Sequence, residues 1–131
     1  MPQQLTHALL VAAGGALGAL SRWGVAIALR RAQEHFPWAT LLVNVLGCLI
    51  AGALVGAFGA DRERLSDEAR LLLMVGFLGG LTTFSTFGTD TLILWRRAPG
   101  PALLNVGLNL TLSLLAVGLG DWLGRSWSAG S

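Results

Sequence analysis

The sequence predicts an all-α membrane protein of four transmembrane helices, the third of them broken in its middle. Three observations carry that prediction. Of the 131 residues, 53% are hydrophobic and 12% charged, whereas soluble domains run at about 25% charged, so lipid is the expected solvent. Four apolar segments, at about 5–29, 38–58, 69–95 and 101–123, each meet the ~20 residues that cross a ~30 Å hydrocarbon core. Within the third lies an uncharged stretch, Gly79-Gly80-Leu81-Thr82-Thr83-Phe84-Ser85-Thr86-Phe87. Glycines weaken a helix by roughly 1 kcal/mol each against alanine, and Thr and Ser offer the backbone competing hydrogen bonds. A bilayer tolerates such a break only where the irregular backbone is buried in protein or lines a polar cavity. The break is therefore the expected functional site.

The chain is short enough to form one domain, residues 1–131. No basic n-region precedes the first apolar run, so that segment is expected to stay as a helix and not to be cleaved as a signal peptide. Pro37 precedes the second segment. Ser66, Asp67 and Glu68 supply a cap and an acidic first turn for the third, and Ala98-Pro99-Gly100-Pro101 precedes the fourth. Trp23, Trp38, Trp95, Trp122 and Trp127 fall near segment ends, where an aromatic belt would place them. Glycine pairs four residues apart, Gly14/Gly18, Gly52/Gly56 and Gly120/Gly124, suggest close helix packing, including between subunits. Cys48 is the only cysteine and reads as a small packing residue.

Nine arginines and no lysine give a net charge of +2 and a pI near 10.0. They are scattered through short loops, which fits membrane flanks better than a nucleic-acid surface. With four spans, Arg62, Arg64, Arg70 and Arg125 fall on one side, and Arg30, Arg31, Arg96 and Arg97 on the other. Four against four leaves no positive-inside bias, so the expectation is insertion in both orientations.

Polar groups inside the spans are few. Arg22 lies toward the far end of the first segment, to snorkel or to attract anions at a vestibule. Asn44 sits six residues into the second, where its amide needs a partner from another helix or from a ligand. Asn105, Asn109 and Ser113 are spaced by four and form one polar stripe. Phe84 and Phe87 share a helix face, and aromatic rings carry a positive edge able to meet an anion. No Asp, Glu or His lies near the middle of a span, which disfavours proton-coupled pumping. Nothing is placed to activate Ser85 or Thr86 as a nucleophile, and no metal-ligand cluster is evident, so the chain does not read as an enzyme.

Three runs resemble motifs of the CrcB/Fluc family of small fluoride channels. Gly14-Gly15-Ala16-Leu17-Gly18-Ala19-Leu20-Ser21-Arg22 resembles its first-helix GGxxGAxxR, and Thr40-Leu41-Leu42-Val43-Asn44-Val45-Leu46-Gly47 its second-helix TLxVNxxG. Gly76-Phe77-Leu78-Gly79-Gly80-Leu81-Thr82-Thr83-Phe84-Ser85-Thr86-Phe87 resembles its GFxGGxTTFSTF, which is long and highly specific. The resemblance implies an antiparallel, dual-topology homodimer in the bacterial cytoplasmic membrane that exports fluoride passively through two pores. It implies a structural sodium ion held by the backbone carbonyls of Gly79 and Thr82 from both subunits. It implies that the edges of Phe84 and Phe87 contact fluoride, and that Asn44, Ser85, Thr86, Asn109 and Ser113 line or support the path. Arg22 matches the family's first-helix arginine. The sequence departs from the family at Ala39, where glycine is usual, at Asp90, where glutamate is expected, and at Asn105, often a tyrosine. Two other readings are a proton-coupled multidrug antiporter, which needs a carboxylate that the first segment lacks, and a non-conducting scaffold packed through its glycine faces.

Overall fold

Pro2 sets the start of the first helix, α1 (Gln3–Ala28), because a residue without an N–H costs nothing at a helix entry. The computed structural model describes residues 2–59 and 65–130. α1 ends at Leu29, and the Gln33 side chain, in a short 3₁₀ turn (Ala32–Glu34), donates 2.9 Å back to the Ala26 carbonyl. That bond satisfies one of the acceptors a helix end leaves open. The second helix, α2 (Trp38–Phe58), starts after Pro37, with the rings of Phe36 and Trp38 in contact at 4.7 Å and tilted by 49°. It stops at Gly59, whose φ of 82° lies in the left-handed region that glycine enters without strain.

The third span is two helices. α3 covers 67–81; it opens as an α-helix at Asp67–Arg70, capped by Ser66 accepting from the Ala69 N–H at 3.2 Å. It then widens into a π-helix over Leu71–Leu78 and tightens again at Gly79–Leu81. Thr82 and Thr83 are extended, with ψ of 153° and 117°. α4 (Phe84–Arg97) follows, capped by the Thr83 hydroxyl, which accepts from the Thr86 N–H at 3.1 Å. Across one residue, Ala98, the chain enters α5 (Pro99–Gly130). Four apolar helical stretches of 26, 21, 31 and 32 residues are thus long enough to span a membrane.

The glycines do not break the third span, contrary to expectation. Gly79 and Gly80 are helical, and the break falls on the two threonines that follow. What Gly80 supplies is proximity: a Cβ there would lie 2.5 Å from the Gly15 carbonyl of α1. Gly76, one turn earlier, would place a Cβ 2.8 Å from the Val11 carbonyl. Gly76/Gly80 is therefore a fourth small-residue pair, facing Gly14 and Gly18 across the α1–α3 crossing. On the other side Gly52 and Gly56 of α2 meet α5 at Val117 and Asp121, while Gly120 and Gly124 meet α2 at Leu49 and Ala53. All of these pairs are used within one chain, so none is left to serve an interface between subunits.

α5 runs past the expected 123. Arg125 pairs with Asp121 at 2.9 Å, the Ser126 hydroxyl donates to the Trp122 carbonyl, and Trp127 meets the edge of Phe58 at 6.4 Å. Local bonds and one tertiary ring contact hold the last turns where hydropathy falls. Arg62 and Arg64, on which the charge balance partly rests, lie outside the described residues. The buried centre is small, built on Val43, Leu78 and Leu81 beside the break, while leucines and all five tryptophans are exposed along the flanks.

Replacing Gly120 with leucine should force α2 and α5 apart and destabilise the fold by about 1–3 kcal/mol or more. Gly118→Leu, where a Cβ meets nothing within 4 Å, should leave stability unchanged. Thermal unfolding in detergent compares the two; equal midpoints would show that the crossing is looser than described.

Candidate functional site

Two extended residues in a membrane helix expose backbone groups that lipid cannot satisfy, and each such group costs several kcal/mol unless the protein supplies a partner. Asn44 of α2 supplies two. Its Oδ1 accepts from the Thr83 N–H at 2.9 Å, and its Nδ2 donates to the Thr83 carbonyl at 3.3 Å. Thr82 closes α3 by returning both its N–H (3.0 Å) and its hydroxyl (2.9 Å) to the Leu78 carbonyl. The Thr83 hydroxyl caps α4, donates to Thr86 Oγ1 at 3.0 Å and lies 3.3 Å from Ser85 Oγ. A helix C-terminus, with its partial negative charge, thus meets a helix N-terminus, with its partial positive charge, around one residue.

From Asn44 a line of side chains runs into the protein. Asn44 Nδ2 donates to Asn109 Oδ1 at 3.1 Å. Asn109 Nδ2 donates to both the carbonyl and the Oδ1 of Asn105, each at 3.0 Å. Asn105 Nδ2 donates to Thr91 Oγ1 at 2.9 Å, and the Thr91 hydroxyl to the Phe87 carbonyl at 2.7 Å. Polar groups this deep are tolerable because each has its partner.

Beside the break lies an open groove of about 310 Å³ lined by Asn44, Cys48, Thr82, Thr83, Phe84, Phe87, Asn109 and Ser113, with Leu110 and Leu114. Among the described residues no charged side chain borders it. The Phe84 and Phe87 rings stand 5.4 Å apart and tilted by 54°. Phe87 is buried, whereas Phe84 is 79% exposed, so a single chain leaves the groove open along Phe84. Both N–H groups of Asn44 and of Asn109 are engaged inside the chain, so these amides border the groove without turning a free donor to it. Ser113, by contrast, has no hydrogen-bond partner among the described residues.

A second cavity, about 330 Å³, is lined by Arg22, Trp23, Gln33, Thr40, Thr83, Thr86 and Asp90, with three alanines. Asp90 accepts from the Thr40 hydroxyl at 2.7 Å. Among the described residues the two ion pairs are Arg70–Asp67 and Arg125–Asp121, and Arg22 is in neither. Thr83 borders both cavities, so the broken segment stands between a cavity carrying charges of both signs and an uncharged groove.

The structure thus gathers Asn44, Phe84, Phe87, Asn109 and Ser113 around one groove and puts Thr86 and Arg22 on the second cavity. Ser85 is exposed and reaches neither cavity. Asn105 does not continue the stripe. It is wholly buried behind Asn109, because α4 packs against that face of α5. Thr83, Thr91 and Thr40 were not singled out from sequence. Thr83 was detectable as a threonine immediately before the helix resumes at Phe84, a favoured capping position, but Thr91 and Thr40 depend on helix pairings the sequence does not display.

The Gly79 and Thr82 carbonyls can be tested as cation ligands on the same geometry. In an unbroken helix the Thr83 N–H would bond the Gly79 carbonyl; here it goes to Asn44 instead. The Thr82 carbonyl belongs to extended backbone at the negative end of α3. Among the described residues no three His, Cys, Asp or Glu side chains converge, and a cation at the break would have carbonyls as its donors, a set suited to a hard ion. Two carbonyls per chain fall short of a full shell, and a second chain or water would have to complete it.

Over residues 9–121 the chain matches the family described as CrcB-like protein, Camphor Resistance (CrcB). It is 47% identical over 122 residues to the fluoride-specific ion channel FluC of a Chelativorans species, covering 92% of this chain and 97% of that one. It is 45% identical over 119 residues to fluoride-specific ion channel FluC 2 of Symbiobacterium thermophilum, covering 89% and 96%. With FluC of Shewanella frigidimarina it shares 44% over 125 residues, covering 91% and 96%. With the four spans and the threonine break in place, these matches make the chain a member of the CrcB family.

Proposed function

We propose that this chain is a fluoride channel, exporting fluoride passively across the bacterial cytoplasmic membrane and so protecting the cell from it. The observation that carries the reading is the groove at the helix break, which offers ring edges and a hydroxyl and no charged side chain. Fluoride is small and strongly hydrated, so a pore must replace its water with many neutral partners. A fixed charge beside it would hold the ion too firmly for exit. The names of the relatives, fluoride-specific ion channels at 44–47% identity, support the same reading.

The residues divide the work. Arg22 at the mouth draws the anion toward Thr86 and Thr83, with Asp90 tied back by Thr40. Beyond Thr83 the positive edges of Phe84 and Phe87 and the Ser113 hydroxyl replace water. Asn44 and Asn109 act from behind, holding the break and the rings in place. Phe84's exposure leaves this path one-sided, and we assign its closure to a second copy in the opposite orientation, giving an antiparallel homodimer with two pores and lipid around it. Gly79 and Thr82 would hold a sodium ion by their carbonyls. Its contribution there would be structural, offsetting the partial negative charge at the end of α3 beside the break.

The decisive measurement is fluoride efflux from proteoliposomes without a pH gradient, with chloride as control. Efflux of fluoride that persists when any proton gradient is collapsed is expected. Absence of efflux would favour a scaffold, and dependence on the gradient an antiporter. Phe84→Ile keeps the bulk but removes the ring edge, and should lower flux at least tenfold with assembly intact; unchanged flux removes the ring from the path. Asn44→Asp still accepts the Thr83 N–H but cannot donate to the Thr83 carbonyl or to Asn109. It also brings a negative charge to the groove, and both effects should cut flux. Wild-type flux from that variant would mean that Asn44 only packs.

A further inference from the structure

The amides of Asn44, Asn109 and Asn105 do not have interchangeable ends, because backbone groups fix which end is which. The Thr83 N–H can only donate, so it must face Asn44 Oδ1, and the Thr83 carbonyl can only accept, so it must face Nδ2. The Asn105 carbonyl can only accept, so it takes the Nδ2 end of Asn109 and leaves Asn109 Oδ1 toward Asn44. The second N–H of Asn109 goes to Asn105 Oδ1. Asn105 Nδ2 then points to Thr91 Oγ1, whose own hydrogen is committed to the Phe87 carbonyl. Every link donates in the same direction, from the groove inward, and the line ends on the backbone of the residue that carries the second ring.

We propose that Asn105, wholly buried and touching neither cavity, is a positioning residue that keeps amide N–H groups out of the groove and ties the Phe87 turn of α4 to α5. Its Oδ1 takes up an Asn109 N–H that would otherwise be available to an anion. Its Nδ2 holds the Thr91 hydroxyl on the Phe87 carbonyl. Where the groove offers ring edges, the Ser113 hydroxyl and the weakly donating Cys48 thiol, an added amide donor would bind fluoride more tightly and slow its departure. Asn105 thus sets how weakly the groove holds its ion. This inference rests on the channel reading above.

Asn105→Leu removes the side-chain acceptor and releases one Asn109 N–H. Flux is measured against fluoride concentration in proteoliposomes of the full chain. The expected result is a fall of about tenfold or more in both maximal flux and half-saturating concentration, the size of one hydrogen bond to an ion. Tighter binding with slower release is the signature; simple loosening of the fold would lower maximal flux while leaving the half-saturating concentration equal or higher. Thr91→Val is the gentler second variant, since it changes one hydroxyl to a methyl at the far end of the line. It should move both quantities in the same direction by less, and the double variant should equal Asn105→Leu alone because both act through one line. Unchanged half-saturation in Thr91→Val, or additive effects in the double variant, would overturn the inference. Failure of the wild-type chain to pass fluoride would instead sink the channel reading itself.

Discussion

Everything at this site depends on one side chain holding one backbone unit. Asn44 takes both the N–H and the carbonyl of Thr83, which a helix would otherwise have paired within itself. In lipid those two groups would each cost several kcal/mol if left alone, so the extended segment and the amide opposite it stand or fall together. Once the segment is fixed, the rest follows locally. Thr82 ends α3, Thr83 caps α4, and the first turn of α4 must project Phe84 and Phe87 at the place and angle the break dictates. α2 therefore determines where the rings of a different helix stand.

The glycine crossings make that dependence rigid. α1 against α3, and α2 against α5, approach to backbone contact, which brings Asn44 near enough to reach Thr83 and Asn109 at once. Backbone proximity of this kind replaces the hydrophobic drive that helices in lipid lack. The polar line from Asn44 to Phe87 then joins α2 and α5 to α4 through donors and acceptors with few alternatives. Packing sets the distance and hydrogen bonding sets the orientation.

Much of this was legible in the residues, and the remainder was not, for identifiable reasons. Length and apolarity show four spans because crossing a bilayer demands them. Asn44 announced a need for a partner because an amide in lipid must have one. Which partner it took was not legible, since a backbone segment is an equally good acceptor and leaves no mark on sequence. The break was located in the right stretch and Thr82 is part of it, but the glycines expected to share in it are helical. Glycine is the weaker helix former on average, yet at Gly76 and Gly80 its lack of a side chain serves contact with α1, and the threonines, with hydroxyls to close one helix and cap the next, make the interruption. Asn105 shares a spacing with Asn109 and Ser113, but a stripe four residues apart drifts around a helix, and the neighbouring α4 covers its first member.

The glycine crossings also bear on how such a sequence can drift over evolutionary time. At Gly14, Gly18, Gly52, Gly56, Gly76, Gly80, Gly120 and Gly124 the obstacle to a side chain is main chain on the opposing helix, which no compensating substitution can make smaller. Ordinary core positions can exchange volume with a neighbour; these cannot. Gly24, Gly88, Gly107 and Gly118 meet nothing within 4 Å inside the chain, and are held by no such bond to their history. Room for a side chain in this fold is therefore least at the two crossings, where only the residue without one fits against the opposing backbone.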